Sequence, residues 1–236
     1  MKKNKIVILG ASSDIGIELT KKFLDQGHSV LAHCNKNHKN LLKLKNKNLK
    51  IFSFDLSKIN EFKKFVDDNK KMFDAEVFVS LTGYIKPTMI ENISIKDFYD
   101  HININYLSNI IVLQKTLPYM KKKKFGRVIL SSSTGVKFGG GFYTGIYSLT
   151  KYMNQFQFSS FSKYAKYNVL INSIQIPVTK TKIHKNVKKK NISKRIKLIP
   201  IKRMANINEV VNYFEFYCSR NNTLTTNSII DISGGE

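Results

Sequence analysis

A tyrosine and a lysine stand four residues apart in the segment YSLTK, residues 147–151. Residues i and i+4 of a helix lie on the same face, so the Tyr147 phenol and the Lys151 ammonium could meet. A phenol titrates near ~10, too high for efficient proton transfer at neutral pH, and a neighbouring ammonium lowers that pKa. The spacing therefore indicates either a proton donor and acceptor or an ordinary pair on a helix surface.

Length and composition narrow the class of protein. The 236 residues, 42% of them hydrophobic, can form one large packed domain or two small ones. Cys34 and Cys218 have no Cys or His neighbour at metal-ligand spacing, so we expect a cytoplasmic protein with neither a disulfide scaffold nor a metal. The apolar run 6–9 is too short for a signal peptide, and no segment approaches a membrane span.

The charge of the chain is strongly positive, +24 with a pI near 9.9. Its lysines accompany many asparagines and isoleucines along the whole length, which is typical of an AT-rich coding sequence. Nucleic-acid binding through the local clusters 121–124 and 180–197 is the alternative. The sequence shows neither a DNA-recognition helix motif nor a platform of aromatic and basic residues. We therefore predict no nucleic-acid and no membrane partner.

Apolar runs of strand length alternate with helical patterns. Continuous apolar runs suit strands buried on both faces, and strand–helix alternation predicts a parallel sheet. We therefore predict a single doubly wound α/β domain of Rossmann type over residues 1–236. Its seven parallel strands are expected near 5–10, 28–34, 49–56, 75–83, 127–133, 168–176 and 227–233, with helices over 14–26, 58–70, 94–120 and from Tyr147 onward.

The segment GASSDIG, residues 10–16, lies between the first strand and the first helix. Small residues there let the backbone approach a pyrophosphate, and the helix N-terminus offers free N–H groups. A simple tight turn is the alternative. We expect Asp14 to act as the helix N-cap, with its carboxylate turned toward the helix amides.

The end of the second strand bears on the choice of dinucleotide. NAD enzymes commonly place an acid there for the ribose 2′-hydroxyl. The sequence AHCNKN has none, and Lys36 follows Asn35. This favours NADP(H) over NAD(H), unless Lys36 is only one lysine among many.

These motifs, in this order, resemble the short-chain dehydrogenase/reductase family over nearly the whole chain. GASSDIG is similar to its TGxxxGxG loop, FYDHININYL to its asparagine-bearing helix, GRVILSSS to its serine strand and YSLTK to Tyr-x-x-x-Lys. IPIKRMANINEV and DISGGE resemble its C-terminal region. The segment SLTG (80–83) stands in place of Asn-Asn-Ala-Gly, and Ile176-Pro177 in place of Pro-Gly.

The resemblance implies a catalytic set of Asn105, Ser133, Tyr147 and Lys151. Tyr147 would donate a proton to a carbonyl oxygen, Ser133 would orient that oxygen, and Lys151 would lower the pKa of Tyr147 and bind ribose. Asn105 would hold a water linked to Lys151. The family spacing from the tyrosine points to Thr134, whereas counting along the strand gives Ser133, with Ser132 as the alternative. The cofactor residues it implies are Gly10, Ser12, Ser13, Asp14, Ile15, Gly16, Asn35, Lys36, Asp55, Leu56, Gly83, Tyr147, Lys151, Thr179 and Thr181.

The implied function is NADP(H)-dependent transfer of hydride between nicotinamide and a carbonyl or secondary alcohol. Reduction of a 3-oxoacyl group on acyl carrier protein is the leading hypothesis. A sugar or small-alcohol dehydrogenase and a catalytically silent dinucleotide sensor are alternatives. The basic stretch around 178–200 would form a lid that recruits an anionic small-molecule or carrier-bound carbonyl substrate, unless its lysines reflect coding bias.

The residues after Tyr147 read as a continuing helix, YMNQFQFSSFSKY, with aromatic residues on more than one face. An exposed apolar stripe often marks a partner surface. In the resembling family this helix lies in a subunit interface, which implies a homotetramer or homodimer. Core packing of Tyr152, Phe156, Phe158 and Phe161 is the alternative.

Overall fold

Seven parallel strands form one sheet in the computed structural model, which describes residues 2–183 and 192–236. Their order across the sheet is β3-β2-β1-β4-β5-β6-β7. This confirms the predicted Rossmann-type α/β fold. The strands are β1 (Lys5–Leu9), β2 (Ser29–Cys34), β3 (Leu49–Ser53), β4 (Val77–Ser80), β5 (Gly126–Ser133), β6 (Val169–Ile176) and β7 (Ser228–Asp231).

Helices and short turns connect the strands. Within residues 2–183 and 192–236, no helix is long and apolar enough to span a bilayer. The helices are α1 (Asp14–Asp25), α2 (Lys39–Leu42), α3 (Ile59–Asp68), α4 (Ile95–Ile102), α5 (Ser108–Lys123), α6 (Gly145–Met153), α7 (Ser159–Ser162), α8 (Ile192–Leu198) and α9 (Ile207–Cys218). Turns of 3₁₀ helix cover Lys70–Phe73, Ile90–Asn92, Thr134–Phe138 and Ala165–Tyr167.

The core lies on both faces of the sheet. In β1, Ile6 and Ile8 pack on the face covered by α1 and α9, while Val7 and Leu9 pack on the opposite face against α3 and α5. Successive side chains of a strand point to opposite faces, so a strand that is buried on both sides must be apolar throughout. This explains why the continuous apolar runs identify the strands.

The strand order reverses between β1 and β4. Their carboxyl ends meet there, and the Leu81 N–H donates to the Leu9 carbonyl at 2.8 Å. Connections from the two strands leave in opposite directions at such a point and open a crevice above the sheet, where ligands of doubly wound proteins bind. The candidate site lies in this crevice.

The predicted helix over 94–120 is interrupted by a π turn. Helix α4 continues through the π turn Asn103–Leu107 into α5. A π turn releases backbone groups from the regular helical ladder and is frequent at functional sites. Here the Asn105 carbonyl accepts hydrogen bonds from the side-chain amides of Asn109 and Asn154, each at 2.9 Å.

The helix that carries Tyr147 ends at Met153, so the prediction that it continues through the next aromatic residues is wrong. Buried polar side chains account for this end of the helix. Asn154 is buried, and the Gln155 amide donates to the Ser132 hydroxyl at 2.8 Å, so the chain turns toward the sheet after Met153. Tyr152 and Phe156 remain exposed, and the predicted homo-oligomer stays a prediction.

Candidate functional site

A cavity of about 920 Å³ opens at the carboxyl edge of the sheet. This volume lies within the range of roughly 300–1,000 Å³ that is typical of small-molecule and cofactor sites. The loops after β1, β4, β5 and β6 and the start of α6 form its wall. The residues predicted from sequence that line it are Ser12, Ser13, Asp14, Ile15, Gly83, Ser133, Tyr147, Lys151, Thr179 and Thr181.

Ser133, the last residue of β5, lies close enough to the Tyr147 phenol for its hydroxyl to affect the pKa of that phenol. Tyr147 is partly buried, and burial raises its pKa to about 12, although the Ser133 hydroxyl acts to lower it. The Ser132 hydroxyl instead donates to the Lys151 carbonyl at 2.8 Å and accepts from Gln155. Strand alternation separates the two serines: Ser133 contacts the phenol, and Ser132 fastens α6 to the sheet.

Lys151 is 2% exposed. Its ammonium donates to the Thr82 carbonyl and to the Ser131 hydroxyl, both at 2.8 Å. Burial lowers its pKa to about 7, because neither acceptor carries a charge that compensates the ammonium.

The expectation that Lys151 lowers the pKa of Tyr147 is wrong for this arrangement. The ammonium is directed to Thr82 and Ser131, and the pKa of the phenol rises rather than falls because burial disfavours the phenolate. The pair therefore has a phenol that stays protonated at neutral pH and an amine that titrates close to neutrality.

Asn105 lies behind this pair with every polar group of its side chain bonded to protein. Its Oδ1 accepts from the Tyr84 N–H at 2.7 Å, and its Nδ2 donates to the Tyr84 carbonyl and the Thr150 hydroxyl, each at 3.0 Å. The side chain thus fixes the loop after β4 to α6. The predicted role of Asn105 in holding a water stays a prediction.

Ser13, not Asp14, is the N-cap of α1, so that expectation is wrong. The Ser13 Oγ accepts from the Gly16 N–H at 3.0 Å. The Asp14 carboxylate faces the loop after β6, where it accepts from the Lys182 N–H at 2.8 Å and pairs with the Lys182 ammonium at 3.5 Å. A serine hydroxyl reaches the N3 amide as well as a carboxylate does, which leaves Asp14 available for this longer contact.

The turn before α1 requires a glycine at the point where it packs against the end of β4. Gly10 has φ +74°, and a side chain there would lie 2.8 Å from the Leu81 carbonyl group. Helix α1 leaves the amides of its first turn without intrahelical acceptors, a suitable partner for an anion. At the other end of the cavity Lys151 offers a buried amine, so this wall could hold a dinucleotide between the two.

Several residues assigned to the cofactor lie behind or beside the cavity wall. Leu56 packs in the core below β3. Asp55 is near Lys36: burial acts to raise the pKa of its carboxyl, but hydrogen bonds from Ser57 and the charges of Lys36 and Lys58 leave it lowered. The residues predicted from sequence that do not line the described cavity are Gly10, Gly16, Asn35, Lys36, Asp55, Leu56 and Asn105.

Sequence reasoning missed the apolar part of the wall. Phe138 and Phe142 come from the loop between β5 and α6, and Leu198 comes from α8; they are 55%, 76% and 64% exposed. The aromatic residues of the segment GVKFGGGFYTG are the sequence feature that could have indicated this apolar wall. Asn37 and Asn40, after β2, also line the cavity.

Two basic side chains at the mouth of the cavity have carboxylate partners. Lys182 pairs with Asp14, and Arg195 pairs with Glu236 while its guanidinium lies 4.9 Å from the Phe138 ring centre. Their charges are thus partly compensated. Residues 184–191, the middle of the predicted lid, lie outside the described residues.

Known proteins resemble the chain in sequence and fold. A sequence model of the family described as short chain dehydrogenase matches residues 4–192. The 3-oxoacyl-(acyl-carrier-protein) reductase FabG of Buchnera aphidicola subsp. Baizongia pistaciae is 24% identical, over 99% of this chain and 97% of its own length.

Two solved structures share the fold. A 3-oxoacyl-(acyl-carrier-protein) reductase of Agrobacterium tumefaciens C58 with NADP bound superposes with a TM-score of 0.85 at 18% identity, covering 98% of this chain and 93% of that one. A 4-hydroxyisoleucine dehydrogenase complexed with NADH gives 0.84 at 23% identity, covering 98% of each chain.

The lowered pKa of Lys151 leads to a stability prediction. Between about pH 7 and its ordinary value of 10.5, the folded protein binds fewer protons at this site than the unfolded chain, so stability rises with pH. That contribution is fully present above the unfolded value and is lost as the pH falls through about 7. Lys151→Met has no such dependence, and its stability relative to wild type should fall across this window by up to about 1.4 kcal/mol per pH unit.

Guanidinium unfolding of both proteins at several pH values measures this difference. Lys163→Met, at an exposed position, is the matched control. A difference between Lys151→Met and wild type that does not change between about pH 7 and 10.5 would contradict the burial of a titrating amine.

Proposed function

The chain belongs to the short chain dehydrogenase family, and we propose that it is an NADP(H)-dependent oxidoreductase that reduces a carbonyl to a secondary alcohol. The arrangement that carries the proposal is Ser133 next to the Tyr147 phenol, beside the buried Lys151, in a cavity at the strand-order reversal. Few surface arrangements place a hydroxyl, a phenol and an amine together in a crevice large enough for a cofactor and a substrate.

NADP(H) is the cofactor best supported by these residues. The turn from Gly10 to Gly16 and the first turn of α1 suit a pyrophosphate. No acid follows β2 to bind a ribose 2′-hydroxyl, and the exposed Lys36 lies close enough to Asp55 to affect its pKa. The NADP found in the Agrobacterium relative is consistent with this choice.

The chemistry assigns one task to each side chain. The reduced nicotinamide would supply the hydride to the carbonyl carbon. Tyr147 would donate its proton to the carbonyl oxygen. Its pKa of about 12 keeps the phenol protonated at neutral pH but makes it a weaker acid than an ordinary phenol, so the donation depends on its position beside Ser133 rather than on its acidity. Ser133 would donate a hydrogen bond to the same oxygen and fix its direction. Lys151 would hold the ribose hydroxyls, and Asn105 would keep the loop at Tyr84 in place behind it.

A 3-oxoacyl thioester carried on a protein or cofactor is the substrate class that the wall supports best. Phe138, Phe142 and Leu198 present apolar surface at the mouth, and covering this surface with an acyl chain is favourable by roughly 25 cal/mol for each Å² removed from water. A sugar would leave this surface without matching partners. The 3-oxoacyl-(acyl-carrier-protein) reductase from Buchnera, similar over 97% of its length, supports the same class.

Attraction of an anionic substrate has less support. The Lys182 and Arg195 side chains at the mouth already pair with Asp14 and Glu236. Charge compensation reduces the field that would draw in an anion. The proposal therefore depends on the apolar wall and not on the positive charge of the lid.

Removing the Tyr147 hydroxyl tests the proton donor. Tyr147→Phe should lower turnover with NADPH and a 3-oxoacyl thioester by at least about 10²–10⁴-fold, while NADPH binding stays close to wild type because the ring still fills its place. Tyr152→Phe, on the exposed side of the same helix, should leave turnover unchanged. Retained turnover in Tyr147→Phe would exclude this residue as the proton donor.

Shortening Phe142 tests the acyl-binding wall. Phe142→Ala should lower kcat/KM for long-chain 3-oxoacyl thioesters by about tenfold, because apolar contact worth more than ~1.4 kcal/mol is lost. A short acetoacetyl thioester should be little affected. Phe156→Ala, also at an exposed position but outside the cavity, is the control. Equal loss for long and short chains would show that Phe142 does not contact the acyl chain.

A further inference from the structure

We propose that His33 is a positioning residue for cofactor binding: its imidazole holds Gly10 and thereby sets the orientation of the dinucleotide turn. His33 lies at the end of β2, behind the cavity wall, and is 4% exposed. The inference rests on the proposed function only in taking NADPH as the ligand.

The ring of His33 joins three strands through two hydrogen bonds. Its Nδ1 lies 3.2 Å from the Gly10 amide nitrogen, and its Nε2 lies 2.9 Å from the Phe54 carbonyl oxygen. A carbonyl only accepts, so Nε2 carries the proton and Nδ1 accepts from the Gly10 N–H. The backbone carbonyl of His33 also accepts from the Ala11 N–H at 2.9 Å. One residue thus fixes two successive amides of the turn.

The position of Gly10 is transmitted to the start of α1. The Gly10 carbonyl accepts from the Ser13 N–H at 3.1 Å, and Ser13 caps the helix through the Gly16 amide. The same carbonyl lies so close to Gly16 that a side chain there would approach it to 2.6 Å. These contacts are too close to allow Gly10 to move alone. A displaced Gly10 would also displace Ser12, Ser13 and the first turn of α1 with Ile15, all of which line the cavity.

The surroundings of His33 keep it in the accepting form. The ring packs against Phe52 at a centroid distance of 5.2 Å. Burial is the main cause that lowers its pKa to about 4, against smaller opposing effects of the Phe54 bond and Asp55. At neutral pH the imidazole is therefore uncharged, with Nδ1 free to accept from Gly10.

A purely structural role, fastening β1 to β2 and β3, is the competing interpretation, and two substitutions separate it from the proposal. In His33→Asn the side-chain oxygen lies near the Nδ1 position and can still accept from Gly10, but the bond to Phe54 is lost. In His33→Gln the amide reaches the Nε2 position and can still donate to Phe54, but the Gly10 N–H loses its acceptor. Each variant loses one buried hydrogen bond, so their thermal stabilities should fall alike.

NADPH binding, followed by nicotinamide fluorescence, should distinguish the two variants. We expect His33→Gln to weaken binding about tenfold or more, the effect of one unsatisfied buried donor on the turn, and His33→Asn to remain near wild type. Equal affinities in the two variants, or a loss that follows the drop in melting temperature, would overturn the inference. If the wild-type protein binds neither NADPH nor NADH, the proposed function is contradicted together with the inference. If the wild type binds NADPH and the two variants bind it equally well, only the inference about His33 is overturned.

The tautomer can be measured in the wild-type protein, without any variant. Nitrogen chemical shifts of the His33 ring should show a protonated Nε2 and an unprotonated, hydrogen-bonded Nδ1 at neutral pH. A protonated Nδ1 would remove the acceptor for Gly10 and overturn the inference.

Discussion

The burial of the Lys151 ammonium is the constraint on which the rest of the site depends. A cation without a counter-charge is costly inside a protein unless its donors are satisfied. Here the Thr82 carbonyl and the Ser131 hydroxyl meet it at 2.8 Å. These acceptors come from the loop after β4 and from β5, so the ends of two neighbouring strands must stay in register with α6. Tyr147, one turn earlier on that helix, is thereby held against Ser133.

The polar residues around this ammonium also account for the irregular backbone nearby. The π turn exposes the Asn105 carbonyl to the Asn154 amide, which also lies 3.3 Å from the Ser131 carbonyl. Asn154 is the residue directly after α6, which ends at Met153. Asparagine side chains thus satisfy the carbonyls that the π turn and the end of β5 present beside the cavity.

The sequence was sufficient for the central strands of the sheet, because strands buried on both faces must be continuously apolar. The edge strands β3 and β7 are only partly buried, and their places were indicated by the alternation of strands and helices. The turn at Gly10 could also be anticipated, since small residues between a strand and a helix have few other uses. Other features depend on distant contacts. Ser13 caps α1, and the Asp14 carboxylate instead meets Lys182, far along the chain. The pKa of Tyr147 rose because burial outweighed the effect of the Ser133 hydroxyl. The direction of the Lys151 side chain inside the cavity cannot be read from helical spacing alone.

Reduction itself is the most direct test of the central claim, that the Ser133–Tyr147 pair and Lys151 form a working NADP(H) site. Purified protein would be mixed with NADPH or NADH and a long-chain 3-oxoacyl thioester, and the loss of nicotinamide absorbance followed. We expect NADPH to be oxidised, and faster than NADH, with one 3-hydroxyacyl product formed for each cofactor consumed. Protein that binds NADPH but oxidises neither cofactor would contradict the assignment and leave a dinucleotide-binding protein without this chemistry.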